Sequence, residues 1–178
     1  TERPLPLGTA VGHAAAEVSD VREPVENEDL VTFTATFASG TTGTLSASRS
    51  AYGLANSLGF ELFTASGAAT FDLARAGEFG FIDPTPAGPT QGYRQVLVGP
   101  AHPYLTRGLP MDFPGVGYGQ NDLFAFQARA FLEQVAGLEG LPRVASFDEG
   151  LHNLRLLEAV VASAEAGGAE VTLDKEET

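Results

Sequence analysis

Two runs of alternating side chains, joined by a short turn, make up residues 30–48, LVTFTATFASGTTGTLSAS. In the first run, Val31 and Phe33 alternate with threonines at the period of two that half-buried β-strands show. Ser39-Gly40 predicts the turn, and Gly43–Ser50 predicts a return strand with the same alternation. If the two strands pair, one sheet face is apolar and the other, the hydroxyl face, carries Thr32, Thr34, Thr36, Thr44, Ser46 and Ser48.

The same rhythm of strands and turns continues downstream. Leu58–Phe63 and Ala68–Leu73 flank a Ser66-Gly67 turn, and shorter strand candidates follow at Phe79–Ile82 and Tyr93–Val98. Because connections this short cannot hold crossover helices, we expect the strands to be mostly antiparallel.

Two helices are predicted near the end of the chain. The first starts at Asn121 or Gln120. The second starts at Ser146, with Glu149 at the spacing of a capping box, in which each side chain satisfies a free backbone N–H. Glycines follow both helices and predict their ends. The apolar stripes are Phe124, Ala128, Phe131, Leu132 and Val135 in the first helix, and Leu154, Leu157, Val161 and Ala164 in the second.

These elements predict an α+β fold, a mostly antiparallel open-faced sheet with helices packed on one face and no Rossmann domain. Residues 1–27 are interpreted as a lead-in segment, a loop with a short strand around Gly12–Val18. Residues 28–173 form the α+β domain, whose last strand is predicted at Ala169–Leu173. Residues 174–178 are a charged tail.

A loop rich in proline and glycine spans residues 99–119. Its stretch Gly115-Val-Gly117-Tyr-Gly119 superficially resembles a dinucleotide-binding fingerprint. The fingerprint needs G-x-G-x-x-G between a strand and a helix, so that a helix N-terminus faces the pyrophosphate. Here Pro114 precedes the glycines and their spacing differs, so we interpret the stretch as a loop that enters the first helix. We expect this chain to bind no nicotinamide cofactor by itself.

The charge of the chain limits its partners. The formal net charge is −13, with only 10 Lys and Arg among 178 residues. Such a surface repels phosphate backbones and anionic lipids, which argues against nucleic acid and membranes. No apolar run reaches the roughly 18 residues of a membrane span, and the opening TERPLPLGTA lacks the pattern of a secretory signal. We therefore expect a soluble, cytoplasmic protein.

Motifs for metal binding and hydrolysis are missing from the sequence. His13, His102 and His152 are far apart, none forms an H-x-x-x-H pair, and there is no cysteine. No Gly-x-Ser-x-Gly elbow presents a nucleophilic serine. The sequence therefore predicts neither a metal site nor a serine hydrolase.

Several polar and aromatic side chains could contact a ligand. Arg49, Tyr52 and Asn56 follow one strand closely and supply the donors and acceptors that hydroxyl-rich ligands need. The alternative is that Arg49 forms a surface ion pair and Tyr52 packs on the sheet. His102 lies beside Tyr104 in the long loop, where it is either a ligand contact or an ordinary loop histidine. The hydroxyl face is either solvated or in contact with the same face of a second copy.

Four segments, read in order, resemble the C-terminal domain of the glucose–fructose oxidoreductase, inositol dehydrogenase and rhizopine-catabolism family. They cover most of residues 25–173. The segments are EDLVTFTATFASGTTGTLSASRSAYGLANSLGFELFTASGAATFDL, GPAHPYL, GYGQNDLFAFQARAFLEQVAG and SFDEGLHNLRLLEAVVASAEAGGAEVTL.

The resemblance implies that cofactor binding and substrate covering belong to two different domains. Full members have a Rossmann domain that binds NAD or NADP, followed by an α+β domain that covers the substrate and pairs its open sheet in dimers or tetramers. Their chemistry is hydride transfer between the nicotinamide and a sugar or cyclitol carbinol, with a Lys and an Asp-x-Gly-x-x-His stretch as the base apparatus. Neither is found in this sequence. The resemblance places no catalytic residue here and puts Arg49, Tyr52, Asn56, His102 and Tyr104 on the substrate side.

The resemblance also sets expectations about partners. We expect a missing N-terminal Rossmann domain, a sugar or polyol substrate and an NAD(P)-dependent parent enzyme, with this chain inactive alone. We further expect self-association, at least to a dimer, through the open sheet face or edge. The alternative is a free-standing, non-catalytic binding or assembly domain of the same fold. The Ala- and Gly-rich composition is typical of a high-GC bacterial source.

Overall fold

The computed structural model divides the chain into two compact units, Thr1–Ala55 and Asn56–Thr178. The predicted strand at Gly12–Val18 falls mostly outside the described residues, as do Gly115, Gly117 and the charged tail. The structure describes residues 2–9, 17–25, 28–54, 56–83, 89, 91–106 and 118–173.

The predicted α+β class is confirmed, because two helices accompany strands that all pair antiparallel. Among the described residues, the strands form three separate sheets in place of the single predicted sheet. The strands are β1 (Glu2–Pro6), β2 (Val18–Pro24), β3 (Leu30–Thr36), β4 (Thr42–Ser48), β5 (Gly59–Thr64), β6 (Gly67–Asp72), β7 (Glu78–Ile82) and β8 (Arg94–Leu97); the helices are α1 (Gln120–Val135) and α2 (Phe147–Glu165).

In the first unit, β3 and β4 form the hairpin that the alternating sequence predicts. Phe33 lies opposite Leu45 on one face, and Thr32 lies opposite Ser46 on the other. The Thr32 hydroxyl donates to Ser46 Oγ at 3.2 Å, so the hydroxyls pair across the ladder. The side chains of the hydroxyl face are exposed, whereas Phe33 is half-buried. The division into an apolar and a hydroxyl face is therefore confirmed.

The lead-in segment, residues 1–27, is more regular than predicted, because β1 and β2 pair within it. Arg3 lies opposite Glu23, and Arg3 Nε contacts Glu23 Oε1 at 3.0 Å. The register shifts between Pro4 and Pro6. Proline lacks the N–H that a ladder needs, which is why the sequence favours a loop here and why the hairpin is irregular.

The second unit begins with a meander in which β5, β6, β7 and β8 lie side by side in chain order. The β5–β6 turn is held by Thr64, whose hydroxyl donates to the Gly67 carbonyl oxygen at 3.0 Å. The Phe60 and Phe71 rings lie opposite each other across the same pair of strands, with centroids 5.7 Å apart.

The prediction of a strand at residues 169–173 is wrong, because the structure has no regular element there. The chain beyond α2 is instead held locally, with the Ser163 hydroxyl donating to the Ala169 carbonyl oxygen at 2.7 Å. Alternating side chains alone do not form a strand unless a neighbouring strand supplies hydrogen-bond partners.

Helix α1 starts where predicted but buries a different side. Asp122 accepts a hydrogen bond from the Gly119 N–H at 2.8 Å and so satisfies a free donor at the helix start. Phe126 and Ala130 are buried, at 9% and 3% exposure. The predicted stripe faces outward, with Phe124 60%, Phe131 53%, Leu132 64% and Val135 70% exposed.

In helix α2, too, the more buried side differs from the predicted stripe. Its half-buried side chains include Leu156, Ala159, Val160 and Ser163, whereas Leu154, Leu157, Val161 and Ala164 of the predicted stripe are exposed. Both helices are thus apolar on two sides, and the sequence pattern identified the outer one. Neither helix in the described part of the chain is long and apolar enough to cross a membrane.

The predicted capping box of α2 is confirmed. The Glu149 N–H donates to Ser146 Oγ at 3.1 Å, and the Ser146 N–H donates to the Glu149 carboxylate at 2.7 Å. Arg143 adds two hydrogen bonds to the same carboxylate, at 2.9 and 3.0 Å. The Arg143 guanidinium, together with the Ser146 N–H and hydroxyl, lowers the pKa of Glu149 from 4.5 to about 2.

The lowered pKa of Glu149 predicts a pH-dependent contribution to stability. The ionised carboxylate stabilises the folded chain above pH 4.5, and this contribution is lost as the pH falls toward about 2. We expect Glu149→Gln to lower the melting temperature by a few degrees at pH 7, and the difference from wild type to shrink below pH 4.5. Thermal unfolding followed by circular dichroism measures this. Glu158→Gln on the same helix is the control, and a deficit that persists unchanged at pH 2.5 would contradict the assignment.

Candidate functional site

Arg49 and Tyr52 lie immediately after β4 in the first unit. The Arg49 N–H donates to the Asp29 carbonyl oxygen at 2.8 Å, which closes the open end of the β3–β4 hairpin. The Tyr52 side chain is 104% exposed, so it does not pack on the sheet, contrary to the alternative considered from the sequence. Within the described residues, Arg49 forms no ion pair. Both side chains are exposed in the first unit.

Asn56 is the first residue of the second unit. Its φ is +51°, in the left-handed region that asparagine adopts more readily than most residues. Its side chain is exposed. Asn56 therefore marks a turn with an exposed amide.

His102 and Tyr104 are brought into direct contact in the second unit. Their rings are stacked, with centroids 5.6 Å apart and planes 20° apart. The turn that carries them is closed by the Leu105 and Thr106 N–H groups, which donate to the His102 carbonyl oxygen at 2.9 and 3.1 Å. His102 is exposed and Tyr104 is half-buried, so the pair presents aromatic surface to solvent from a well-bonded turn.

The packed centre beneath this turn was not predicted from the sequence. The Phe126 ring of α1 contacts two tyrosine rings, with centroid distances of 5.4 Å to Tyr104 and 5.9 Å to Tyr118. Leu105 is 2% exposed and Ala130 is 3% exposed. The spacing of Phe126 and Ala130, at i and i+4, fits a helix face as well as the predicted stripe does. Hydrophobicity alone could not choose between the two faces.

Arg49 and Tyr52 in the first unit, and Asn56, His102 and Tyr104 in the second, carry side-chain groups that can form hydrogen bonds. Guanidinium, phenol, amide and imidazole groups offer donors and acceptors to hydroxyl groups, and stacked rings offer apolar surface to C–H groups. Within the described ranges, no three His, Asp or Glu side chains are grouped as a metal site requires. Gly119, the described end of the glycine-rich stretch, serves as the N-cap of α1.

Comparisons with known proteins reveal relatives that are longer than this chain. No protein-family profile matches the sequence. It is 31% identical over 164 residues to levoglucosan dehydrogenase from Pseudarthrobacter phenanthrenivorans, which covers 92% of this chain and 41% of that protein. An oxidoreductase domain protein from Kribbella flavida is 33% identical with a TM-score of 0.75, covering 93% of this chain and 41% of that one.

A structure of levoglucosan dehydrogenase in complex with NADH and levoglucosan also matches. It is 31% identical with a TM-score of 0.71, over 80% of this chain and 37% of that chain. This chain therefore spans about two-fifths of the length of its relatives. The described residues of the matched part have an α+β architecture, and they include no Rossmann domain.

Proposed function

We propose that this chain corresponds to the C-terminal domain of an oxidoreductase of the glucose–fructose oxidoreductase, inositol dehydrogenase and rhizopine-catabolism family, and that it covers a sugar or polyol substrate in its parent enzyme. The observation that carries the proposal is that nearly the whole chain aligns with only two-fifths of levoglucosan dehydrogenase, which has been solved in complex with NADH and levoglucosan. The remaining three-fifths of the relative is where we place the cofactor site. We propose NAD as the cofactor of the parent, since the relative's structures contain NADH.

The proposed role of this chain is binding and positioning. Arg49 and Tyr52 offer exposed donors after β4, and His102 and Tyr104 offer a stacked aromatic pair. Asn56 adds an amide at the start of the second unit. When bound, the nicotinamide supplies or accepts the hydride. The residues of this chain would hold the substrate hydroxyls and exclude water, which favours reaction by fixing geometry.

A calorimetric titration with NADH and NADPH tests the proposed division of labour. We expect no binding heat from the 178-residue chain, because the described residues include no strand–glycine-loop–helix unit for a pyrophosphate. Full-length levoglucosan dehydrogenase, solved with NADH, is the positive control. Micromolar binding to the chain alone would overturn the assignment. Sugar-dependent turnover of NAD by the chain alone would do so as well.

The upstream coding sequence separates the proposal from its alternative. A Rossmann fingerprint encoded in frame before Thr1 supports a substrate domain of a larger enzyme. A start codon there supports a free-standing assembly domain of the same fold.

We also propose that the hydroxyl face of the β3–β4 hairpin is a self-association surface. Its side chains are small and exposed, and two of them, Thr32 and Ser46, are hydrogen-bonded to each other across the strands. Such a face allows a flat contact with a second copy. Light scattering should therefore detect at least a dimer. Thr34→Glu should shift the chain toward monomer, because like charges would then face each other, whereas Thr41→Glu in the turn should not. A wild-type monomer at high micromolar concentration would contradict this.

A further inference from the structure

Four aromatic rings form a continuous series from the exposed loop into helix α1. The ring centroids are 5.6 Å apart for His102 and Tyr104, 5.4 Å for Tyr104 and Phe126, and 5.9 Å for Phe126 and Tyr118. We propose that Tyr104, Phe126 and Tyr118 are positioning residues that hold the His102 imidazole in one orientation and one tautomer, with Nε2–H as the donor to a ligand hydroxyl. The identity of the ligand rests on the proposed function, whereas the orientation of the ring does not.

The tautomer follows from the hydrogen bond at the other ring nitrogen. The Tyr104 N–H donates to His102 Nδ1 at 3.4 Å. A neutral imidazole that accepts at Nδ1 carries its proton at Nε2. His102 therefore presents a donor, which suits the oxygen of a ligand hydroxyl.

The turn that carries His102 is fixed through its backbone. The His102 N–H donates to the Gly99 carbonyl oxygen at 2.9 Å, and the His102 carbonyl oxygen accepts from the Leu105 and Thr106 N–H groups. Leu105 is 2% exposed, so the turn is anchored by a buried side chain directly after Tyr104. An imidazole on such a turn loses little conformational entropy on binding, which favours affinity.

The support of the ring comes from the most buried part of the described chain. Phe126 and Ala130 lie on the same face of α1, at 9% and 3% exposure, and Leu105 is the other buried apolar residue described. All three residues lie in or next to the His102 turn and the ring series, rather than in the sheets. The most buried apolar side chains described thus belong to the His102 turn and to the helix that carries Phe126, and such burial restricts the motion of the side chains packed against them.

The far end of the series rests against the β7 end of the meander. A Cβ added at Gly77 would lie 3.2 Å from Tyr118 Cδ2, so the absence of a side chain at Gly77 lets the ring approach. The Gly77 carbonyl oxygen also accepts from the Val98 N–H at 2.8 Å, directly before the His102 turn. Gly77 therefore lies against the Tyr118 ring at one end of the series and is hydrogen-bonded to Val98, just before the turn that carries His102 at the other end.

Nuclear magnetic resonance of the histidine-labelled 178-residue chain tests the positioning role. His102→Gln identifies the His102 signals by their loss. In the wild type we expect nitrogen shifts of the Nε2-protonated tautomer and ring protons shifted upfield by Tyr104. Phe126→Met removes the ring while keeping an apolar side chain of similar size. We expect it to reduce the upfield shift by about half or more and to mix the tautomers, with His152 unchanged.

The matched control is Phe124→Met, because Phe124 lies on the same helix and is 60% exposed. It should leave the His102 signals as in the wild type. Gly77→Ala perturbs the series from the Tyr118 end without touching Phe126, and should shift the His102 signals in the same direction as Phe126→Met. An Nδ1-protonated tautomer in the wild type, or unchanged His102 signals in folded Phe126→Met or Gly77→Ala, would overturn the proposal.

Addition of levoglucosan separates this inference from the proposed function. A fixed His102 ring whose signals also move with levoglucosan supports both, and Phe126→Met should then raise the apparent Kd by about fivefold. A fixed His102 ring whose signals do not change with levoglucosan supports the positioning claim and counts against a sugar contact at His102. A ring without fixed orientation overturns the positioning claim, whether or not the sugar binds.

Discussion

Gly67→Ala should lower the melting temperature of this chain by roughly 5–10 °C, corresponding to a loss of about 2–3 kcal/mol. Gly67 opens β6 directly after the turn from β5, where it lies opposite Thr64. A Cβ at this position would overlap the Ile82 carbonyl oxygen of the neighbouring strand β7. Since backbone cannot move aside as a flexible side chain can, the β6–β7 pairing would have to open at its end. Thermal unfolding by circular dichroism measures the loss.

Gly43→Ala is the matched control for this substitution. Gly43 also lies in a strand, but a Cβ there would meet Phe37 Cε2 at 3.7 Å and Leu45 Cδ1 at 3.9 Å, which are ordinary contacts. We expect its melting temperature to lie close to that of the wild type. Equal melting temperatures for Gly67→Ala and the wild type would show that β7 does not approach β6 as closely as described.

Arg49→Ala in the parent enzyme should reduce kcat/KM for its sugar or polyol by about 10- to 100-fold. The guanidinium is exposed at the end of β4, and the backbone of Arg49 is held by Asp29, so the substitution removes donors and leaves the hairpin intact. Because we place the hydride donor outside this chain, the loss should appear mainly as a higher KM. Steady-state kinetics at saturating NAD measures both constants.

Arg22→Ala is the control for the loss of a positive charge. Arg22 lies on β2 in the same unit, and its guanidinium contacts the Glu2 carbonyl oxygen at 3.5 Å. The Arg22→Ala variant should keep kcat and KM near their wild-type values. An equal change in KM for the two variants would mean that Arg49 acts through net charge and not through contact with the substrate.

Local sequence signals predicted much of this fold. The alternation of Val31 and Phe33 with threonines identified both faces of the β3–β4 hairpin, since strand geometry assigns alternate residues to opposite faces. Ser146 and Glu149 located the start of α2, since the capping box is formed within one turn. Such features depend on residues a few positions apart, and the sequence displays them directly.

Features that depend on distant partners were predicted less well. The β1–β2 hairpin pairs residues about 20 positions apart, as Arg3 and Glu23 show, and the prolines between them concealed the strands. The buried face of α1 is decided by contact between Phe126 and Tyr104, 22 positions earlier in the chain. The apolar residues of α1 alone favour the outer stripe and the buried face equally. The candidate site residues were proposed from their side-chain chemistry and from the resemblance, while the ring series became evident only from the structure.

The hydroxyl face has a thermodynamic consequence for assembly. Burial of apolar surface lowers the heat capacity, whereas burial of polar surface raises it. Association through paired threonine and serine hydroxyls should therefore show a small heat-capacity change, and its enthalpy should vary little with temperature. Association through the outer stripes of α1 and α2 would bury leucine, valine and phenylalanine side chains and give a large negative value. Dilution calorimetry at several temperatures would thus identify which surface joins two copies of this chain.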